Sequence, residues 1–216
     1  MSSNKSKVAV IGLGNIGKAV ASNLVKGSRE VILASHKIED ANALASQLGT
    51  LAKPADVKTA IKEADIVIMS VWFSTIQELF KEYATELQGK IIIDPSNPIA
   101  PDGKGGFKKI IGAQDSAGEI INGVLPRGTK LVKALGSLGA ASLAGAAFQK
   151  PKAVLFYATD EKSLSDTIEE LIIDTGFEPV NIGGVDQSIR MEVFGELHEF
   201  GALGKPATLA DLKQSV

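Results

Sequence analysis

"KVAVIGLGNIGKAVASNLVKGSREVILASHK", running from Lys7 to Lys37, sets how the rest of the chain is read. Its first eight residues form an apolar run that ends in glycines, as in a strand buried on both faces. Ile16, Val20, Leu24 and Val25 follow at helical spacing and give out near Gly27. "EVILAS" is then a second buried strand. Strand, tight glycine turn, helix and strand make one βαβ unit, and the same alternation continues downstream.

"EDANALASQLG" predicts a helix with Ala41, Leu44, Ala45 and Leu48 turned inward, and Gly49 to Lys53 a further short strand. "ADVKTAIKEA" reads as a helix with Pro54 at its amino-terminal turn. "DIVIMSV" is a strand, "FSTIQELFKEYATELQ" a helix and "KIIIDPSNP" a strand broken by prolines. Ala100 to Asp115 reads as a long flexible loop with Gly103, Gly105 and Gly106 among lysines. "SAGEIINGVLP" predicts a short helix with Ser116 as N-cap and Glu119 completing a capping box. "TKLVKALGS" is a strand leading into the small residues of "LGAASLAGAAFQ". "KAVLFYAT", "DEKSLSDTIEELIIDTG" and "FEPVNIG" add another βαβ unit. "VDQSIRMEVFGELHEFGAL" predicts a closing helix interrupted at Gly195.

Such alternation implies a Rossmann-like, doubly wound α/β fold: a mostly parallel sheet with helices on both faces and a short C-terminal helical extension. The expected division is a Rossmann-like domain over residues 1–183, including the extra βαβ unit, and a helical extension over 184–216. Composition narrows the function. With 216 residues, 44% hydrophobic and 22% charged, the chain has enough apolar material for a sizeable core. A formal net charge of −2 argues against a general nucleic-acid or membrane-surface binder. The absence of cysteine removes disulfides, thiol catalysis and thiolate metal sites, and no metal site is expected. "MSSNKSK" is a short polar tail without a signal-peptide core. No apolar run approaches the roughly 20 residues of a membrane span. A cytoplasmic enzyme or binding protein is expected.

Gly12, Gly14 and Gly17 satisfy G-x-G-x-x-G. Gly12 permits the tight turn, Gly14 lets backbone approach a pyrophosphate, and Gly17 lets helix and strand pack closely. The pyrophosphate then rests on a helix amino terminus, where free N–H groups and the macrodipole favour an anion. About 20 residues on, a chain that holds the unphosphorylated ribose carries an acidic residue. Here the second strand ends in Ser35, His36 and Lys37, with no carboxylate before Glu39. Hydroxyl, imidazole and ammonium together suit a 2′-phosphate, which points to NADP(H).

The later strand ends carry the remaining candidates. Trp72, in "SVWFST", offers a flat apolar wall beside the adenosine or ribose, or else packs in the core. Ser96 and Asn97, in "DPSNP", put hydroxyl and amide donors on a proline-fixed turn, suited to a nicotinamide carboxamide or else to a backbone-serving Asx turn. In "VKALGSLGA", Gly136 admits a flat ring close to the backbone and Ser137 can bond to it. Acid–base candidates are few. His198 is a weak catalytic candidate, and no paired carboxylates or metal-binding histidines stand out. Hydride transfer needs positioning more than a proton shuttle, because the cofactor supplies the chemistry.

The stretches "VAVIGLGNIGKAVASNL", "ILASHK", "IIIDPSNP", "SAGEIINGVLP", "LVKALGS" and "RMEVFGELHEFGALG" together resemble the NADPH-dependent coenzyme F420 reductases, the coenzyme F420-dependent NADP oxidoreductases. "DPSNP" and "VKAL" also resemble the cytoplasmic reductase domains of metalloreductase membrane proteins. By position, the resemblance implies Gly12, Gly14, Asn15 and Ile16 at the pyrophosphate and Ser35, His36 and Lys37 at the 2′-phosphate. It implies Val71, Trp72, Ser96 and Asn97 along the ribose and nicotinamide, and Leu135, Gly136 and Ser137 near the ring where an acceptor stacks. Two departures stand out. His36 and Lys37 follow the serine where family members often have arginine, and Gly136 replaces the Asn of relatives with "VKAFN".

The expected activity is therefore hydride transfer between NADP(H) and coenzyme F420 or a flavin, a small-molecule acceptor, by a possible homodimer whose surface includes "VFGELHEFGALG". The alternative is a non-catalytic NADP(H)-binding sensor or regulatory subunit. "GLGNIG" and "NLVKG" also resemble 3-hydroxyisobutyrate dehydrogenases, but the 32 residues after Gly184 are expected to be too few for their helical substrate domain.

Overall fold

The computed structural model describes residues 5–213; the expected tail at Met1–Asn4 and the last three residues lie outside them. The chain runs β1 (Val8–Ile11), α1 (Asn15–Lys26), β2 (Val31–Ala34), α2 (Ile38–Leu48), β3 (Ala52–Pro54), α3 (Val57–Glu63), β4 (Ile66–Met69), α4 (Phe73–Glu82) and β5 (Ile91–Asp94). A hairpin, β6 (Ile99–Pro101) and β7 (Phe107–Lys109), precedes α5 (Ala117–Asn122), β8 (Lys130–Ala134) and α6 (Ala140–Gly145). Then come β9 (Val154–Ala158), α7 (Ser165–Asp174), β10 (Glu178–Asn181), α8 (Ser188–Met191) and α9 (Leu209–Lys213).

Eight strands form one sheet in the order β10-β9-β8-β5-β4-β1-β2-β3. The fold is Rossmann-like. Strand order reverses between β1 and β4, which pair in parallel from Val8↔Ile66 to Ile11↔Met69, and ligands of such sheets bind at that switch point. The two faces divide the strand residues by their period of two. Val8 and Val10 join Leu33 and residues of α1, α2 and α7 in one core, whereas Ala9 and Ile11 join Ile32 and residues of α3, α4 and α5 in the other. Burying each such Val, Leu or Ile contributes about 1.5–3 kcal/mol, so the site edge rests on a rigid base.

One junction breaks the parallel pattern: β9 pairs antiparallel with β8, through Lys133↔Ala158 and Ala134↔Tyr157. The segment between β8 and β9, with α6 in it, brings the chain back to the same end of the sheet, so β9 runs against β8. The outer face of β9, with Val154, Phe156 and Ala158, is covered by Met191 and Ala207 of the C-terminal segment.

Three expectations change locally. Ala100–Asp115 is not a loose loop: β6 and β7 pair through Ile99↔Lys109, and Asp102 Oδ1 closes the turn by accepting from the N–H groups of Lys104 and Gly106 at 2.7 and 2.9 Å. Pro54 ends β3 rather than starting α3, whose N-cap is Asp56, accepting from Thr59 N–H at 2.9 Å. The closing helix is broken up. A 3-10 turn at Val185–Gln187 and the short α8 stop at Glu192, which turns extended, and Phe194 takes φ +71°.

Candidate active site at the carboxyl edge of the sheet

The glycine turn is built by close contact. Gly12 has φ +91°, and a side chain there would overlap the Ser70 carbonyl and Val71. A side chain at Gly17 would overlap the Gly12 carbonyl, so α1 can lie against the turn only if this position is glycine. Gly14 differs: nothing lies within 4 Å of the position a Cβ would take. It is the N-cap of the 12-residue α1 and provides no side-chain cap. Lys18 N–H bonds to Gly14 oxygen at 2.9 Å, while the amides of Asn15 and Ile16, one turn earlier, have no intrahelical acceptor. An open space before free helix-terminal N–H groups is the geometry an anion takes.

At the end of β2, Ser35 is 9% exposed, and His36 and Lys37 are exposed beside it. Ser35 Oγ lies 3.4 Å from His36 Nδ1 and donates a long 3.3 Å hydrogen bond to Asp40 Oδ2. Lys37 is the N-cap of α2. The structure thus brings the three expected residues together and adds Asp40, which the sequence reading passed over. The signal was present: the first turn of the following helix faces back over the residue that precedes its cap.

At the end of β4, Val71 is half-buried and Trp72, N-cap of α4, is 57% exposed. Trp72 is therefore no core residue. After β5, Asp94 Oδ1 accepts from Ser96 N–H at 2.7 Å, closing an Asx turn. Asn97 spends its amide on the scaffold, donating from Nδ2 to Gly136 oxygen at 3.0 Å and accepting Val193 N–H on Oδ1 at 2.6 Å. It holds the loops after β5 and β8 and the C-terminal segment at one point. Leu135 is fully buried with φ +65°, and Ser137 is 1% exposed.

Three serine hydroxyls on this edge, Ser70, Ser96 and Ser137, are buried without a hydrogen-bond partner among the described residues. They lie just beyond β4, β5 and β8, neighbouring strands of the sheet. A buried hydroxyl left unpaired costs about 1–3 kcal/mol, and three of them cluster on this edge, with Ser188 Oγ and Arg29 Nε left in the same way elsewhere.

Beneath them lies a charge network that the sequence reading missed. Lys133, 1% exposed, donates to Asp94 Oδ2 at 2.8 Å and to Ser96 oxygen at 2.6 Å, and lies 3.9 Å from Glu192 Oε1. Glu192, equally buried, accepts from Ser116 Oγ at 3.0 Å and from the amides of Ala117 and Gly118 at 3.0 and 2.9 Å. This is why the closing helix ends at Glu192: its carboxylate leaves to cap α5. A lysine inside the apolar run "KLVKAL" and an aspartate ending "IIID" were the readable signals.

His198 is 1% exposed. Its Nδ1 accepts from Phe200 N–H at 3.0 Å, its ring lies 5.3 Å from that of Phe200, and it hydrogen-bonds the Gly136 backbone. The neighbouring Glu199 accepts from Gly139 N–H and donates its own N–H to Ser137 oxygen at 3.1 Å. His198 thus braces the loop after β8 from behind. Burial holds its pKa below the ordinary 6.5, against the opposing pull of Glu199 and Gly136. The unfolded chain then takes up the proton first, so stability is complete above about pH 6.5 and falls as the pH drops through the lower, folded value. Urea denaturation between pH 7.5 and 5 should show this loss, and His198→Gln should flatten it; an unchanged slope would remove the assignment.

Among the described residues no helix is long and apolar enough to cross a membrane, and no group of three His, Asp or Glu is placed to hold a metal.

Residues 7–98 match the family described as NADP oxidoreductase, coenzyme F420-dependent. The family match covers the glycine turn, Ser35–Lys37, Val71–Trp72 and Ser96–Asn97. Similarity extends beyond it: an F420-dependent NADP reductase from Methanocaldococcus jannaschii is 26% identical over 202 residues, spanning 88% of this chain and 90% of that protein. A prephenate dehydrogenase from Lactococcus lactis is 32% identical over only 79 residues, and the chain spans 22% of its length. Among solved structures, a hypothetical protein from Sinorhizobium meliloti superposes with a TM-score of 0.81 at 26% identity, covering 91% of this chain and 95% of that one. A candidate F420-dependent NADP-reductase from Arthrobacter sp. FB24 shares the fold at TM-score 0.70 and 23% identity, covering 84% and 86%.

Proposed function

We propose that this chain belongs to the coenzyme F420-dependent NADP oxidoreductase family and moves a hydride directly between NADP(H) and a flavin- or deazaflavin-like acceptor. The observation that carries the reading is the set of unpartnered hydroxyls of Ser70, Ser96 and Ser137 on the edge that also holds the open Gly14 position. A nucleotide lying across the switch point fits these residues.

In this reading the Asn15 and Ile16 amides receive the pyrophosphate, and Gly12 and Gly17 keep the turn close enough for them to do so. Ser35, His36 and Lys37 receive the 2′-phosphate. Val71 and Trp72 flank the ribose, and the apolar face of Trp72 shields that side from water. Ser96 and Ser137 bond the nicotinamide end, with Asn97 holding their loops in register. Leu135 and Gly136 present a flat backbone surface against which an acceptor ring can stack. When bound, the reduced nicotinamide supplies the hydride. The residues orient two rings and exclude water, contributions that proximity alone can make large. The buried His198 has no part in proton transfer in this scheme. Cytoplasmic location and a homodimer belong to the same proposal.

The test is a parallel titration with NADPH and NADH, followed by turnover with deazaflavin, FMN, FAD, ferric chelates and quinones. NADPH should bind more tightly, and Lys37→Ala should weaken NADPH by about tenfold while leaving NADH unchanged, as expected for one charged phosphate contact. Tighter NADH binding would refute the phosphate site. NADPH binding without turnover on any acceptor would replace the enzyme by a nucleotide-binding sensor.

A further inference from the structure

We propose that Asp40 sets how strongly this site prefers NADP(H) over NAD(H), by placing an uncompensated carboxylate at the 2′ position of the adenosine ribose. The inference rests on the cofactor reading above and deepens it. Asp40 lies in the first turn of α2, and its Oδ2 is 3.3 Å from the hydroxyl of Ser35, the residue that ends the β2 edge. His36 Nδ1 lies on the same hydroxyl at 3.4 Å. Asp40 also lines a hollow of about 180 Å³ between α1 and α2 with Leu13 of the glycine turn and Lys18. Among the described residues its carboxylate forms no ion pair with Lys18, Lys37 or any other cation.

A hydroxyl has one proton to donate. While Ser35 points it at Asp40, it cannot give it to a phosphate, so binding a 2′-phosphate requires the hydroxyl to turn away from the carboxylate. It must also overcome repulsion between Asp40 and a phosphate carrying nearly two negative charges. The charges on Lys37 and Lys18 and the amino terminus of α2 oppose that repulsion without cancelling it. A 2′-hydroxyl meets neither obstacle and can donate to Asp40. The site as built therefore accepts both nucleotides, with the preference for NADP(H) held down by a single side chain. Asp40 is a specificity residue, separate from the groups that attract the phosphate.

The experiment is equilibrium binding of NADPH and NADH, read by nicotinamide fluorescence, to the wild-type chain, Asp40→Asn, Asp40→Ser and Glu39→Gln. Asp40→Asn should bind NADPH about fivefold more tightly and NADH no more tightly, since a partly solvated charge at this range is worth that much. The gain should shrink in 1 M salt, where a screened charge loses its reach and a merely structural effect would not. Glu39→Gln, one residue earlier and about 100° around the helix, should change the ratio much less. Asp40→Ser repeats the test with a small neutral side chain, and melting temperatures confirm that every variant is folded. An NADPH-to-NADH ratio that stays within about twofold of wild type, or that falls, in both Asp40 variants overturns the proposal while leaving the cofactor reading standing. Failure of the wild type to bind either nucleotide overturns both.

Discussion

Gly14→Ala is expected to lower NADPH affinity by about a hundredfold, or about 2.7 kcal/mol, with the melting temperature nearly unchanged. The added methyl meets no protein atom within 4 Å, so the fold has nothing to resist it. Gly14 precedes the free amides of α1 in an extended conformation at φ −72°, ψ −165°, which any residue adopts. Alanine is a poorer N-cap than glycine by about 0.5–1 kcal/mol, a loss offset by the smaller unfolded-state entropy of alanine, worth about 0.4–1 kcal/mol where the backbone suits it. What the methyl does fill is the space a pyrophosphate needs in order to approach those amides. Gly17→Ala should behave in the opposite way. Its methyl overlaps the Gly12 carbonyl, so α1 must shift from the turn, with an expected stability loss of about 1–3 kcal/mol accompanying any loss of binding. Thermal melts and NADPH titrations on both variants separate site from scaffold. Wild-type affinity in Gly14→Ala would mean that no phosphate lies on this turn.

The largest effect on stability is expected at Lys133. Lys133→Met removes the cation between two buried carboxylates, Asp94 at 2.8 Å and Glu192 at 3.9 Å. Breaking a buried pair in this way costs about 3–5 kcal/mol, because a charge remains with nothing to balance it. Glu192 keeps two amide donors and the Ser116 hydroxyl; among the described residues Asp94 keeps only the Ser96 amide, so most of the penalty falls on Asp94. Lys133→Met with Asp94→Asn should therefore recover at least half of the loss, since asparagine keeps an acceptor for Ser96 N–H and carries no charge. Urea denaturation measures both variants. A loss below about 1 kcal/mol in the single variant would mean that the buried charges are already neutral, contrary to this account. NADPH affinity should fall as well, because Lys133 also holds the Ser96 carbonyl at 2.6 Å, under one of the unpartnered hydroxyls.

Most of the fold was legible because strands buried on both faces leave nearly continuous apolar runs. "VAVI", "VILA" and "IVIM" became β1, β2 and β4 with every residue buried. Elements that local pattern specifies poorly were the ones misread. The glycines of "PDGKGGFKK" suggested looseness, but Asp102 uses them to close a tight turn between two short strands. The apolar spacing of "SIRMEVFGELHEF" suggested a helix. Three contacts distant in sequence draw that stretch off helical geometry instead: Glu192 to α5, Val193 to Asn97 and Glu199 to Gly139. Asn97 shows the same limit within the site. Its residue type suits either a cofactor contact or a backbone-serving turn, yet its two partners, Gly136 and Val193, lie 39 and 96 residues away.

Taken alone, the sequence determined the βαβ order, the glycine turn and the Ser35-His36-Lys37 ending, since each depends on residues close together in the chain. Backbone sterics and side-chain period act over a few residues and so leave their mark on short stretches. Only the tertiary structure decided the antiparallel β9, the Lys133 network beneath the site, the bracing role of His198 and the placing of Asp40 on Ser35. Those features come from segments that meet only after the sheet has formed. Their energies depend on burial and on distances of a few ångströms between groups, and the order of residues along the chain does not contain those distances.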